Sequence, residues 1–366
     1  MEIGIVGLPR SGKTTVFNAV TRGKAQVATY GSAQAKPNVG VAKVPDERLD
    51  VMVKMFNPRK TVHAEVSYVD IPAPPEGFGK TKGISGEFLN FLQRTDALMV
   101  VTRGFEDPSV THVADTVDPF RDIDTMMFEL TFSDLEMIER RLLRMADRFK
   151  SAKQAERDQL NKEKVLIERL KEGLEAGKPI RGQEMTKDEE KTIEGFRFLT
   201  QKAVIVVLNA GEEQAGKVAE MEQKLAEHVK GEGVRGAVLL GKLEMELAQM
   251  DPADEEVFRK EMGVGESGLG RMVKLSYEVI GLNNFLTVGE DECRAWEIPA
   301  GISAQKAAGR IHSDIERGFI RAEVVAYKDL VECGSLVEAK KRGVLRMEGK
   351  EYIVKDGDII NFLFNV

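Results

Sequence analysis

At 366 residues the chain is too long for one ordinary domain, and 42% hydrophobic residues are enough to build real cores, so wholesale disorder is excluded. A net charge of −7 argues against a generic nucleic-acid coat, and two cysteines, Cys293 and Cys333, are too few for a disulfide framework. No run of about eighteen apolar residues is present to cross a membrane, and Met1-Glu2-Ile3-Gly4-Ile5-Val6 enters a strand pattern at once, so a cytoplasmic protein is expected.

The first stretch alternates short apolar runs with helical patterns, the signature of a parallel sheet covered by helices. The runs are Ile3–Val6, Val66–Val69, Ala97–Val101, Ala203–Leu208 and Gly236–Leu240, all suited to strands buried on both faces. Between the third and fourth the rhythm becomes helical. Apolar residues fall at Leu135, Ile138, Leu142, Met145, Phe149 and Ala152, and resume at Leu160, Ile167, Leu170 and Leu174. The eleven-residue offset from Phe149 to Leu160 reads as a stutter in one long helix. Gly177-Lys178-Pro179 ends that helix, and Met185–Phe198 returns as its shorter partner, giving an antiparallel arm inserted into the sheet domain. After Ile280 short strands (Cys293–Pro299, Ile320–Val325, Ile359–Asn365) alternate with turns and a small helix near Ala304–Ile311, a compact α+β domain.

Gly7-Leu8-Pro9-Arg10-Ser11-Gly12-Lys13-Thr14 matches G-x-x-x-x-G-K-[ST], with a strand before it and a helix after it. Backbone N–H groups at the glycines and the helix N-terminus can converge on a β-phosphate. Lys13 brings a point charge to the β/γ oxygens, and the Thr14 hydroxyl is placed to ligate Mg²⁺. Gly7, Arg10, Ser11, Gly12, Lys13, Thr14 and Thr15 are therefore the expected phosphate site. A chance glycine turn would have no reason to sit between strand and helix. Asp70, closing Val66-Ser67-Tyr68-Val69-Asp70, is the second expected metal group, although a turn or cap role would suit it too. Asn209-Ala210-Gly211-Glu212 follows the fourth apolar run, where guanine-specific proteins carry N-K-x-D. Glu212 is one methylene longer than aspartate, which disturbs capture of guanine, while Asn209 has an amide suited to adenine. A plain strand-to-helix turn is the bland alternative.

With these residues the chain resembles the YchF subfamily of Obg-related P-loop proteins, the Obg-like ATPases, over essentially its whole length. The likeness rests on Gly4–Pro9 with Gly12-Lys13, Pro37-Asn38-Val39-Gly40-Val41, Val69-Asp70-Ile71, the N-x-x-E at Asn209 and Val117–Ile123. It continues in Arg294-Ala295-Trp296, Ala307–Asp314, Gly318–Val324 and Asp356–Ile360, which resemble the family's TGS domain, a β-grasp fold. The resemblance implies an α/β P-loop domain with a mostly parallel sheet (1–132 and 201–280), an inserted antiparallel coiled-coil arm (133–200) and a C-terminal TGS domain (281–366). It implies a slow Mg²⁺-dependent ATPase that prefers ATP to GTP and associates with ribosomes as a translation or stress regulator, with no membrane and no sequence-specific DNA as partner. Relatives lack the usual catalytic glutamine and use a loop histidine to position water; the matching residue is His112, so Lys13 and His112 are the implied catalytic pair.

Several positions depart from that pattern. The D-x-x-G motif reads Asp70-Ile71-Pro72-Ala73, followed by Pro74, so its glycine is gone. The switch threonine is Gln34, the S-A-K motif reads Leu240-Gly241-Lys242, and Arg10-Ser11 stands where relatives usually have Asn-Val. A GTPase of the same fold and a non-hydrolysing ATP-binding adaptor are the rival readings. Six cations against Asp147 between positions 140 and 153 (Arg140, Arg141, Arg144, Arg148, Lys150, Lys153) give a local charge of +5, either a contact for ribosomal RNA or a solvated face. Lys340-Lys341-Arg342 and Arg346 form a second basic patch, and Trp296 is read as core rather than as a base-stacking platform.

Overall fold

The computed structural model describes residues 1–23, 37–72, 84, 86–110, 112, 114–262 and 265–365. Gln34, Ala73 and Pro74, three of the departures above, lie outside the described residues. The chain divides into two compact units, Met1–Gly40 with Ser67–Met272, and Val41–Val66 with Val273–Val366.

In chain order the strands are β1 (Glu2–Val6), β2 (Asn38–Lys43), β3 (Lys60–Val62), β4 (Glu65–Asp70), β5 (Ala97–Arg103), β6 (Ala203–Asn209), β7 (Val234–Leu239), β8 (Leu282–Thr287), β9 (Glu292–Pro299), β10 (Phe319–Ala326), β11 (Arg346–Glu348) and β12 (Asp358–Phe364). The first sheet runs β2-β4-β1-β5-β6-β7, and its pairings from β4 to β7 are all parallel. Each of the five apolar runs in the sequence falls on one of those parallel strands. β5 is buried along its full length, because helices cover both faces of a parallel sheet. The helices of this unit include α1 (Lys13–Thr21), which follows β1, and α2 (Gly86–Arg94), which precedes β5. Leu92, Val100, Ile123, Leu130 and Val206 belong to the core they share with the sheet.

The inserted arm is antiparallel, but its turn is not where the periodicity placed it. Two long helices, α3 (Pro119–Ser151) and α4 (Gln154–Glu175), pair with each other. Between them Ala152 (φ −70°, ψ 145°) and Lys153 (φ −76°, ψ 164°) adopt extended backbone. The eleven-residue offset is thus the signature of a reversal rather than a stutter. The segment expected to be the return helix holds only a short helix, α5 (Lys187–Ile193), and irregular turns; Ile193 and Phe198 pack with Ile138, Ile167 and Leu170. Ion pairs temper the basic patch, two of them made across the reversal. Arg141 forks onto Glu163 (2.8 Å for both bonds) and Arg148 onto Glu156 (2.6 Å), both from α4. Lys150 pairs with Asp147 at 2.9 Å and Arg140 approaches Glu136 at 3.9 Å. Charge counted from 140 to 153 omitted Glu156 and Glu163 of the facing helix and Glu136 one turn back.

The second unit carries a mixed sheet, β11-β10-β12-β8-β9-β3. β12 lies between β8, its parallel partner, and β10, its antiparallel one, the β-grasp arrangement. The segment Val41–Val66, which the sequence reading kept with the nucleotide domain, belongs to this unit through β3, paired parallel to β9 from Lys60↔Glu292 to Val62↔Arg294. Arg48 adds salt bridges to Asp46 (2.8 Å) and Asp356 (2.7 Å). Trp296 packs against the core, stacked on Phe285 with its Nε1 donating to Thr287 Oγ1 at 3.0 Å, as the sequence reading favoured.

Candidate functional site

The site is built at the C-terminal ends of β1, β4, β5 and β6, where an open parallel sheet leaves a crevice for ligands. The loop from β1 to α1 is held by features that only its sequence supplies. A Cβ on Gly7 would run into the Val101 carbonyl oxygen, and Gly12 has φ +86° with no room for a side chain against the Asn209 amide. Arg10, at φ +66°, bends the loop between them. Ser11 is 2% exposed and its Oγ has no hydrogen-bond partner among the described residues, an orphaned polar atom inside the loop. A phosphate oxygen would give it one.

Lys13 is buried, with Nζ donating to the carbonyls of Gly7 (3.1 Å) and Leu8 (3.3 Å). Burial pushes its pKa down to about 8, and the charge of Asp70 opposes that fall in part. Thr14 donates from Oγ1 to Asp70 Oδ2 at 2.8 Å, and Asn38 Nδ2 reaches the same oxygen at 3.4 Å. Burial raises the Asp70 pKa, against the opposing effects of Thr14, Lys13 and Asn38. A hard divalent cation suits this pair: one hydroxyl and one buried carboxylate, all oxygen, with no soft ligand between them. The expected metal residues are therefore adjacent. Asn38 was not foreseen as a site residue, although Pro37-Asn38 is among the stretches that carry the family likeness.

Asn209, expected as a base contact, is tied to the phosphate loop. Its Nδ2 donates to Ser11 O at 3.0 Å and its Oδ1 accepts from Gly241 N–H at 3.2 Å. The side chain thus ties the phosphate loop to the Leu240-Gly241-Lys242 turn, leaving one N–H and one lone pair uncommitted. Glu212 is not brought to it; it opens a 3₁₀ turn (Glu212–Lys217), exposed, with a carboxylate 4.0 Å from Lys242 Nζ. Thr15 follows Thr14 in the first turn of α1, half-buried.

His112 is 6% exposed, and both ring nitrogens are engaged. Ala114 N–H donates to Nδ1 at 3.0 Å, so the ring's own proton lies on Nε2 and goes to Asp122 Oδ2 at 2.8 Å. Asp122 also accepts from Arg121, in the first turn of α3. In this conformation the imidazole has no free nitrogen to orient a water. The remaining group that sequence reasoning missed is Arg103, fully buried at the end of β5; its signal was a cation closing an otherwise apolar run.

Two family models match. Residues 2–139 match a family described as 50S ribosome-binding GTPase, and residues 282–365 match YchF-GTPase_C, described as a protein of unknown function. A Bacillus subtilis protein named ribosome-binding ATPase YchF is 41% identical over 100% of both chains. The chain belongs to the YchF family. An Escherichia coli YchF with the same name is 35% identical, covering 100% of this chain and 99% of its own. Among solved structures, the Schizosaccharomyces pombe YchF GTPase superposes with a TM-score of 0.82 at 29% identity, covering 99% of this chain and 97% of that one. The YchF fold accounts for the P-loop sheet, the helical insertion and the C-terminal mixed sheet together. No described helix is long and apolar enough to cross a membrane.

Proposed function

We propose that this chain is a slow, Mg²⁺-dependent ATPase, preferring ATP to GTP, that acts in the cytoplasm at the ribosome. The observation that carries the reading is the cradle itself: the glycine-pinned loop, buried Lys13 and the Thr14–Asp70 pair at 2.8 Å lie together at the head of α1. Thr14 and Asp70 would hold Mg²⁺, and the ion would supply charge neutralisation for the β/γ oxygens. Lys13 releases the Gly7 and Leu8 carbonyls and turns its ammonium to the phosphates, and the amides at the head of α1 bind the β-phosphate. Glu212, in place of aspartate, supports the preference for ATP. The ribosome as partner rests on the names of the relatives, with the arm and the TGS domain as the candidate contact elements.

His112 is the residue we assign to positioning the attacking water, which requires it to leave Asp122. The same contact favours a second reading, a non-hydrolysing ATP-binding adaptor in which His112 stays where it is. Titration of nucleotide-free protein with ATP and GTP, with and without Mg²⁺, followed by steady-state phosphate release, separates the readings. ATP should bind more tightly than GTP, Mg²⁺ should strengthen both, and His112→Ala should cut slow release about a hundredfold, to a residual rate. Tight ATP binding with no release would establish the adaptor, and tighter GTP binding would end the ATP assignment.

A further inference from the structure

Resting on the ATPase reading, we infer that Arg103 is a positioning residue that winds the loop delivering His112 and fastens it to the phosphate loop. Arg103 ends β5, in register with Asn209 of β6, and is 1% exposed. Its guanidinium donates to three carbonyls of the chain that follows: Nε to Phe105 O (3.0 Å), one terminal nitrogen to Val110 O (2.8 Å), the other to Asp107 O (3.4 Å). The Asp107 carboxylate accepts from the N–H (2.9 Å) and hydroxyl (2.6 Å) of Ser109. A planar fork of five donors suits three converging carbonyls as no other side chain does.

The guanidinium also lies 4.7 Å from the centre of the Phe105 ring, and that ring lies beside Gly12, where Phe105 Cε1 would touch any Cβ at 3.7 Å. One side chain therefore fixes both ends of the loop: Phe105 against the phosphate loop, and Val110 two residues before His112. Two residues of chain reach no further than about 7 Å, so the Val110 carbonyl sets where the His112 backbone can go. Burying an arginine is an expensive way to close a turn, and turn-forming residues do that without a charge. The charge makes sense where the path of the loop must be held against His112 moving at its far end.

The inference concerns rate, not affinity. Arg103→Lys keeps a cation and part of the donor set; Arg103→Gln keeps a single uncharged NH₂ donor and serves if the lysine variant folds poorly. In either, ATP affinity should stay within about threefold of wild type while kcat falls about tenfold or more, since misplacement by an ångström is enough for such losses. With His112→Ala in the background, the Arg103 change should cost nothing further, because both act through one group. An unchanged kcat, or losses that multiply in the double variant, would overturn the inference. If His112→Ala alone leaves turnover intact, the water-positioning role falls instead. Amide exchange then decides for Arg103: residues 105–110 should exchange faster in Arg103→Lys with β1 and α1 unchanged, and unaltered exchange would refute the clamp.

Discussion

Asn209→Ala discriminates between reading the base and shaping the phosphate loop. The Asn209 side chain is 3% exposed and makes one bond to Ser11 O (3.0 Å) and one from Gly241 N (3.2 Å). Truncation leaves two buried backbone groups unpartnered, each costing about 1–3 kcal/mol, or about 2–6 kcal/mol together. Part of that falls on folding and part on the loop conformation that binds phosphate. If half or less falls on binding, affinity drops about tenfold to a hundredfold. The effect should be indifferent to the base, because the lost bonds end on the phosphate loop. Calorimetric titration of nucleotide-free wild type and Asn209→Ala with ATP, GTP and inorganic triphosphate measures this directly. All three should weaken by a similar factor. A tenfold loss for ATP with triphosphate unchanged within twofold would refute the buttress and restore a base contact.

Lys13 has a folded pKa of about 8, and bound phosphates raise it, so binding above pH 8 requires proton uptake. ADP affinity should be constant below about pH 7 and fall roughly fivefold between pH 8 and pH 9, a trend that fluorescence titration would read; Lys13→Arg should abolish the trend. Asp70→Asn should remove most of the gain in ATP affinity that Mg²⁺ provides, about tenfold to a hundredfold. Asp122→Ala deprives His112 Nε2 of its acceptor; phosphate release should rise while thermal unfolding shows a loss of about 1–3 kcal/mol.

The phosphate loop was legible because one chemistry fixes both residue type and spacing, and a strand and a helix flanked it as expected. The parallel strands were legible because burial on both faces leaves unbroken apolar runs. The turn of the arm was not. Helical periodicity runs up to Ala152 and resumes beyond it, and two extended residues with no glycine or proline leave no mark in a pattern of apolar positions. β2 escaped notice because Val39 and Val41 are exposed, at 63% and 49%, so it lacks the continuous run of an inner strand. Asn209 was found by position, but its bonds to the phosphate loop left no mark in the sequence, since a carboxamide suits a purine edge and a backbone carbonyl equally well. Arg103 could be seen but not interpreted; only the fold brings Phe105, Asp107 and Val110 around it.

The hairpin of α3 and α4 leaves only Arg144 and Lys153, of the six cations near its tip, without an ion pair among the described residues. A surface whose cations are largely paired releases fewer counterions on meeting a polyanion than its positive charges alone suggest. Attachment through the arm tip should therefore weaken less steeply as ionic strength climbs than the logarithmic slope of about −5 that a linear count gives.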